Sequence, residues 1–225
     1  MENSMEKARE AIKSADAMLI GASNGLSISE GYNIFADNEM FRSQFGDYRE
    51  RYRIRSVLDG VFAKNMSRED YHGYMSRLVN LWTDNYVPSG VMNDLRALIG
   101  DKPYFVLTSN CDEHLEKSGF SPESVWEIEG TFRDLMNYAE PKDKQPLFNK
   151  FMSQWSGKKL VILELGIGSR NRMIKLPLMQ LTLREPKATY ITLNLPHEIY
   201  VPQEICDKSI ALPGDIAATL KTLKE

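Results

Sequence analysis

Apolar residues along the chain follow two periodicities. Ala8, Ala11, Ile12 and Ala15 stand at helical spacing and predict a first helix over Met5 to Ala15. Short apolar runs follow at residues 17–20, 104–107, 125–128, 160–165, 188–193 and 209–212. Runs of this length, bounded by Gly, Asn or Ser, predict buried strands. Helical patterns lie between and after them, over 91–100 and 215–223, the last with Asp215 as N-cap. Strands alternating with helices predict an α/β fold with a doubly wound parallel sheet.

Residues 32–86 break this rhythm. Phe35, Phe41, Phe45, Tyr48, Tyr52, Tyr74, Trp82 and Tyr86 are interleaved with Arg42, Arg49, Arg51, Arg53 and Arg55. Ser67 followed by Asp70 is a capping signal for a helix. Arginine among aromatics also suits nucleic acid, but a helical module packed on its aromatics and solvated on its charged face is the reading preferred. One domain over residues 1–225, with a helical module inserted at 32–86, is expected.

Composition narrows the class. The 225 residues carry a net charge of −3, with 26% charged residues. No basic excess points to nucleic acid. Two cysteines, Cys111 and Cys206, exclude a disulfide framework and a four-cysteine zinc ribbon. The N-terminal segment mixes acids and bases, without an apolar stretch of signal-peptide length. No run approaches a membrane span. A cytoplasmic protein without a membrane partner is expected.

Candidate chemistry concentrates where strands end. Four of them finish on small or polar residues: Gly21-Ala22-Ser23, Ser109-Asn110, Gly166-Ile167-Gly168 and Asn194. Ligands of doubly wound sheets bind outside these carboxyl ends. The segment 21–31 reads as a loop whose Gly21, Gly25 and Gly31 permit close approach of a phosphate; without Gly-Lys-Ser/Thr it is not a Walker loop. Asn110 and Asp112 alternate across Cys111 and would point the same way from an extended segment. They suit a ribose hydroxyl and a carboxamide, or equally an Asx turn. Cys111 reads as a small apolar filler and Cys206 as a structural residue. His72, His114 and His197 share no metal spacing, and His114 is expected at an exposed helix start. Arg170, Asn171 and Arg172 suit an anionic contact or a solvated loop equally.

Taken in order, these motifs resemble the sirtuins over nearly the whole chain. Met18 to Gly31 resembles the family's glycine-alanine signature for NAD, and Thr108-Ser109-Asn110-Cys111-Asp112 its Thr-Gln-Asn-Ile-Asp motif. Glu127-Ile128-Glu129-Gly130 lies where sirtuins have Glu-Leu-His-Gly. Gly166-Ile167-Gly168-Ser169 resembles the Gly-Thr-Ser loop, and Asn194 the later ribose-contacting Asn. The first loop, 21–27, the segment Asp112 to Phe120, and Leu163 to Gly168 are most similar to the macrodomain-linked bacterial branch.

The resemblance implies a sirtuin-type Rossmann fold that uses NAD as co-substrate. It implies protein mono-ADP-ribosyl transfer to a protein acceptor such as a lipoylated glycine-cleavage-H-like carrier, with a macrodomain hydrolase as functional partner. Implied cofactor-binding residues are Gly21, Ala22, Ser23, Gly25, Leu26, Ser27, Gly31, Phe35, Asn110, Asp112, Gly166, Ile167, Gly168, Asn194, Asp215 and Ile216. Implied catalytic residues are Asn110, Asp112 and Glu129. Two departures stand out. Glu129 replaces the family's catalytic histidine, and would act as a base if burial raised its pKa, or as a stabiliser of developing positive charge. Residues 131–159 contain no cysteine, so no zinc ribbon is expected there, only a remnant of the small module with a polar loop at 138–146. A divergent deacylase or NAD glycohydrolase, and a module that binds NAD or ADP-ribose without cleaving it, are the alternatives.

Overall fold

The computed structural model describes residues 2–225. The six apolar runs form strands β1 (Ala17–Ala22), β2 (Tyr104–Thr108), β3 (Val125–Glu127), β4 (Leu160–Leu165), β5 (Thr189–Asn194) and β6 (Ser209–Pro213). The helices are α1 (Glu2–Ser14), α2 (Asn24–Ser29), α3 (Glu39–Tyr52), α4 (Val57–Val61), α5 (Arg68–Val79), α6 (Gly90–Ile99), α7 (His114–Lys117), α8 (Phe132–Met136), α9 (Gln145–Trp155), α10 (Lys175–Arg184) and α11 (Ile216–Lys224).

All strands are parallel, in the order β3-β2-β1-β4-β5-β6. Strands β1 and β4 are buried at every position, as expected where helices cover both faces of a parallel sheet. One face packs Met18, Ile20, Val106, Val161 and Leu163 against α1, α6 and α11; the other packs Leu19, Phe105 and Ile162 against α9 and α10. Strand order reverses between β1 and β4, and the crevice above such a switch point is where doubly wound sheets bind ligands.

Residues 32–86 carry a core of their own. Phe41, Phe45, Tyr74, Met75, Leu78 and Trp82 bury one another, with Phe132 of α8 closing the cluster. A π-helical turn over Asn80–Asp84 leads this module back toward the sheet. Ser67 Oγ accepts from the Asp70 amide at 3.0 Å and caps α5. Asp215 caps α11 in the same way, 2.8 Å from the Ala218 amide. Ser67→Ala is therefore expected to lower stability by about 1 kcal/mol, read as a lower denaturant midpoint at unchanged slope.

Three elements differ from the sequence reading. The segment 21–31 is mostly helix: α2 begins one residue after Ser23, and its Leu26 is fully buried in the sheet core. Helices α9 and α10 also lack counterparts in that reading. Pro146 and Pro177 sit in first turns, where a missing N–H costs nothing. Within 131–159, α8 joins the core of the helical module while α9 packs on the sheet. No helix of the described residues is long and apolar enough to cross a membrane.

Candidate active site

The loops after β1 and β2 meet through side chains. Asn110 Nδ2 donates to the Ser23 carbonyl at 3.2 Å and to Ser27 Oγ at 2.9 Å. Ser27 Oγ in turn donates to Asp112 Oδ2 at 2.6 Å. Ser109 Oγ donates to Ser23 Oγ at 2.9 Å. Ser23, Ser27, Asn110 and Asp112 are all buried. Asn110 and Asp112 thus share Ser27, the common direction their alternation implied. Asn110 Oδ1 is buried and has no hydrogen-bond partner among the described residues. Buried acceptors are nearly always satisfied, so this oxygen marks a place for a donor from a bound molecule. It fits the hydroxyls or carboxamide that NAD brings.

The loops after β1 and β4 meet through backbone. Gly25 N donates to the Gly166 carbonyl at 3.1 Å. A Cβ on Gly25 would lie 2.5 Å from Gly166 Cα, and Gly166 takes φ +62°, which L side chains rarely adopt. The switch-point crevice is therefore floored by two glycines in contact. Gly21 serves differently. It lies inside β1, where a Cβ would come 2.2 Å from a Leu178 methyl of α10, so its missing side chain makes room for packing rather than for a phosphate.

Beneath the Gly166–Gly168 loop lies a buried polar network absent from the sequence reading. Glu164 and Lys175 pair at 3.0 Å with essentially no exposure. Tyr190 Oη and Thr192 Oγ1 donate to Glu164 Oε2, and the Ile167 amide donates to Oε1. Lys175 Nζ and Asn194 Nδ2 both donate to the Ile167 carbonyl. Asn194 Oδ1 accepts from the Leu195 amide, so this side chain shapes the loop from within. The signal was present: Glu164 is a charge inside an apolar strand.

The remaining candidate residues are dispersed. Ala22, Leu26, Ile167 and Ile216 are buried apolar supports of these loops; Gly31 takes φ +99°; Phe35 and Gly168 are exposed. Glu129 is exposed and makes no hydrogen bond to the Ser27–Asn110–Asp112 cluster among the described residues. Glu127 of this segment is half-buried instead, and its carboxyl is pushed up to about 9 by desolvation and by the charges of Glu116 and Glu113. A folded state that holds this proton loses stability as pH rises from about 4.5 toward 9. Glu127→Gln should therefore raise the Tm above wild type at pH 8.5 and match it at pH 4.5; a gain confined to acid pH would contradict this.

Two corrections concern histidine and cysteine. His114 does start a helix, α7, but it is fully buried, because Glu30, Asp112 and the Trp82 carbonyl surround its ring. Cys206 is exposed in a 3-10 turn and carries no packing role. The Cys111 thiol is pushed up to about 12 by burial, which suits a filler and not a nucleophile. Arg170 and Arg172 make no ion pair among the described residues and stand in the exposed loop after Gly168.

No family model matches the chain. A curated relative, "Protein ADP-ribosyltransferase" of Staphylococcus aureus (strain Mu50 / ATCC 700699), is 24% identical over 277 aligned positions, spanning 96% of this chain and 86% of the relative. Two solved structures share the architecture at 13% and 14% identity. The first comes from work on the mechanism and regulation of Sir2 enzymes, with a TM-score of 0.59 over 99% of this chain and 97% of the other. The second is a Sir2 homolog–NAD complex, with a TM-score of 0.60 over 97% and 92%. The chain thus has the Sir2 fold over nearly all of its length.

Proposed function

We propose that the protein transfers ADP-ribose from NAD to a protein acceptor. The observation that carries this reading is the buried Ser27–Asn110–Asp112 cluster, with Asn110 Oδ1 left unpartnered at the crevice of a Sir2 fold. The ADP-ribosyltransferase name of the full-length relative supports the same activity.

NAD supplies the ADP-ribosyl group and nicotinamide as the leaving group, which departs with the electron pair of the broken bond as the acceptor's nucleophile gives up its proton. Asp112, oriented by Ser27 and by the His114 amide, accepts from the nicotinamide carboxamide. Asn110 presents its free Oδ1 to the ribose hydroxyls. Gly25 and Gly166 let the loops of β1 and β4 close on the dinucleotide. Asn194 and Asp215 shape the adenosine side, through the Gly166–Gly168 loop and the start of α11. Glu129, exposed in the loop after β3, would stabilise positive charge developing on the ribose, most strongly once bound NAD and acceptor exclude water.

The acceptor proposed is a lipoylated carrier of the glycine-cleavage-H type, with a macrodomain hydrolase removing the mark. Incubation of such a carrier with labelled NAD should label it. Asn110→Ala and Asp112→Asn should each lower kcat/KM by about 100-fold or more while leaving the fold intact. Nicotinamide release without label on any protein would instead show a glycohydrolase. Tight binding of NAD left uncleaved would show a binding module.

A further inference from the structure

Asp112 of the cluster and Glu30 next to it are both buried carboxylates, and one ring nitrogen lies within ion-pair distance of both. Glu30 is fully enclosed and Asp112 nearly so; His114 Nδ1 lies 3.2 Å from Glu30 Oε2 and 3.7 Å from Asp112 Oδ2. Buried charge is tolerated when it is paired and hydrogen-bonded. The other ring nitrogen settles the hydrogen count. Nε2 sits 2.8 Å from the Trp82 carbonyl, which only accepts, so Nε2 carries hydrogen. Glu30 Oε1 already accepts from Tyr86 Oη at 2.5 Å and from Ser89 Oγ at 2.7 Å, leaving Oε2 to accept from Nδ1. A neutral ring would set a lone pair against a carboxylate.

We infer that His114 stands as an imidazolium that fixes Asp112 and clasps it to the helical module, making His114 a positioning residue of the NAD-cleaving site. This rests on the reading of Asp112 given above. The clasp has two sides. The π-helical turn supplies the Trp82 carbonyl to the ring and Thr83 Oγ1 to the Asp112 carbonyl at 3.1 Å. The His114 amide donates to Asp112 Oδ1 at 3.1 Å. Such π turns recur at functional sites.

Burial alone would discharge His114. The charge of Asp112, the hydrogen bond and charge of Glu30, and the Trp82 carbonyl outweigh it and raise its pKa above the ordinary value. The other titratable groups against the ring are phenols. Tyr86 stacks on it at 3.7 Å and Tyr32 meets it edge-on at 4.6 Å; burial raises both above the usual phenol range, so both stay neutral. A raised folded-state pKa means the pairing is present at low and neutral pH and is lost as pH rises through the folded value.

Nitrogen-15 NMR of histidine-labelled wild-type protein at pH 7.5 tests the charge state. Expected are two protonated ring nitrogens for His114, with a titration midpoint above those of His72 and His197. One bare nitrogen at pH 7.5 overturns the inference. Nicotinamide release from NAD tests the positioning. Glu30→Gln should lower kcat/KM about tenfold at pH 8.5 and stay within about twofold of wild type at pH 6, where His114 remains charged. An equal loss at both pH values would show a merely structural role and overturn it. The alkaline limb of the wild-type profile, which needs no variant, should coincide with the NMR midpoint of His114; a limb elsewhere counts against the role. If the wild type cleaves no NAD at any pH, the proposed function falls and the positioning role with it, while NMR still decides the charge.

Discussion

Gly166→Ala is expected to abolish ADP-ribosyl transfer and to cost on the order of 2–4 kcal/mol of stability. Two independent penalties meet at this residue. Its φ of +62° lies in the left-handed region, and an added Cβ would lie 2.5 Å from Gly25 Cα, 2.7 Å from Gly25 C and 2.9 Å from an Ile216 methyl. Two of these neighbours are backbone atoms that cannot rotate away. The loops after β1 and β4 would be forced apart at the crevice proposed to hold the dinucleotide. Gly25→Ala should do the same from the other side, since its Cβ would meet Gly166 Cα and carbonyl at 2.5 and 2.6 Å. Because both variants break one shared contact, the double variant should cost clearly less than the sum of the two. Denaturant midpoints and NAD turnover of the three variants check this. Wild-type turnover in Gly166→Ala would contradict the role given to the crevice.

Lys175→Met is expected to destabilise by about 3–5 kcal/mol, because it leaves Glu164 buried and uncompensated. Glu164 sits in β4 with no exposure, and Lys175 Nζ is its one cationic partner among the described residues, 3.0 Å away. Lys175 also holds the carbonyls of Ile167 and Glu198. Removing it frees the Gly166–Gly168 loop as well as stranding a charge, so affinity for NAD should fall along with stability. The double variant Glu164→Gln/Lys175→Met should recover much of the lost stability, since the amide oxygen can still accept from Tyr190 and Thr192 while only the Ile167 amide loses its acceptor. It should recover less of the NAD affinity, because the lysine's bonds to the loop stay missing. Equal stability of Lys175→Met and wild type in urea would contradict the ion pair's importance.

Much of the fold was legible because its strands are buried on both faces. An apolar run such as Leu160–Leu163 needs no partner in sequence to declare itself. Asp215 and Ser67 read correctly as caps, since N-capping is local chemistry. Helices α9 and α10 were harder. Their prolines lie in first turns, where the missing N–H is tolerated. The site was legible at Asn110 and Asp112, where alternation fixes a shared side. It was illegible at Glu30, His114 and Lys175, whose partners are 84, 84 and 11 residues away in sequence. Pairings of that kind are set by tertiary packing, and a lone histidine carries no local mark of them. Gly21 shows the converse: a glycine beside a ligand crevice can owe its identity to a neighbouring leucine.

We propose that NAD is cleaved at the Ser27–Asn110–Asp112 cluster and its ADP-ribose passed to a protein. The most direct measurement is the ratio of nicotinamide released to ADP-ribose bound covalently to acceptor, followed with doubly labelled NAD in wild type and in Asn110→Ala. Expected are one-to-one release and transfer in the wild type, with both lost in a folded Asn110→Ala protein. Intact NAD with the wild type, or undiminished release and transfer by Asn110→Ala, would contradict it.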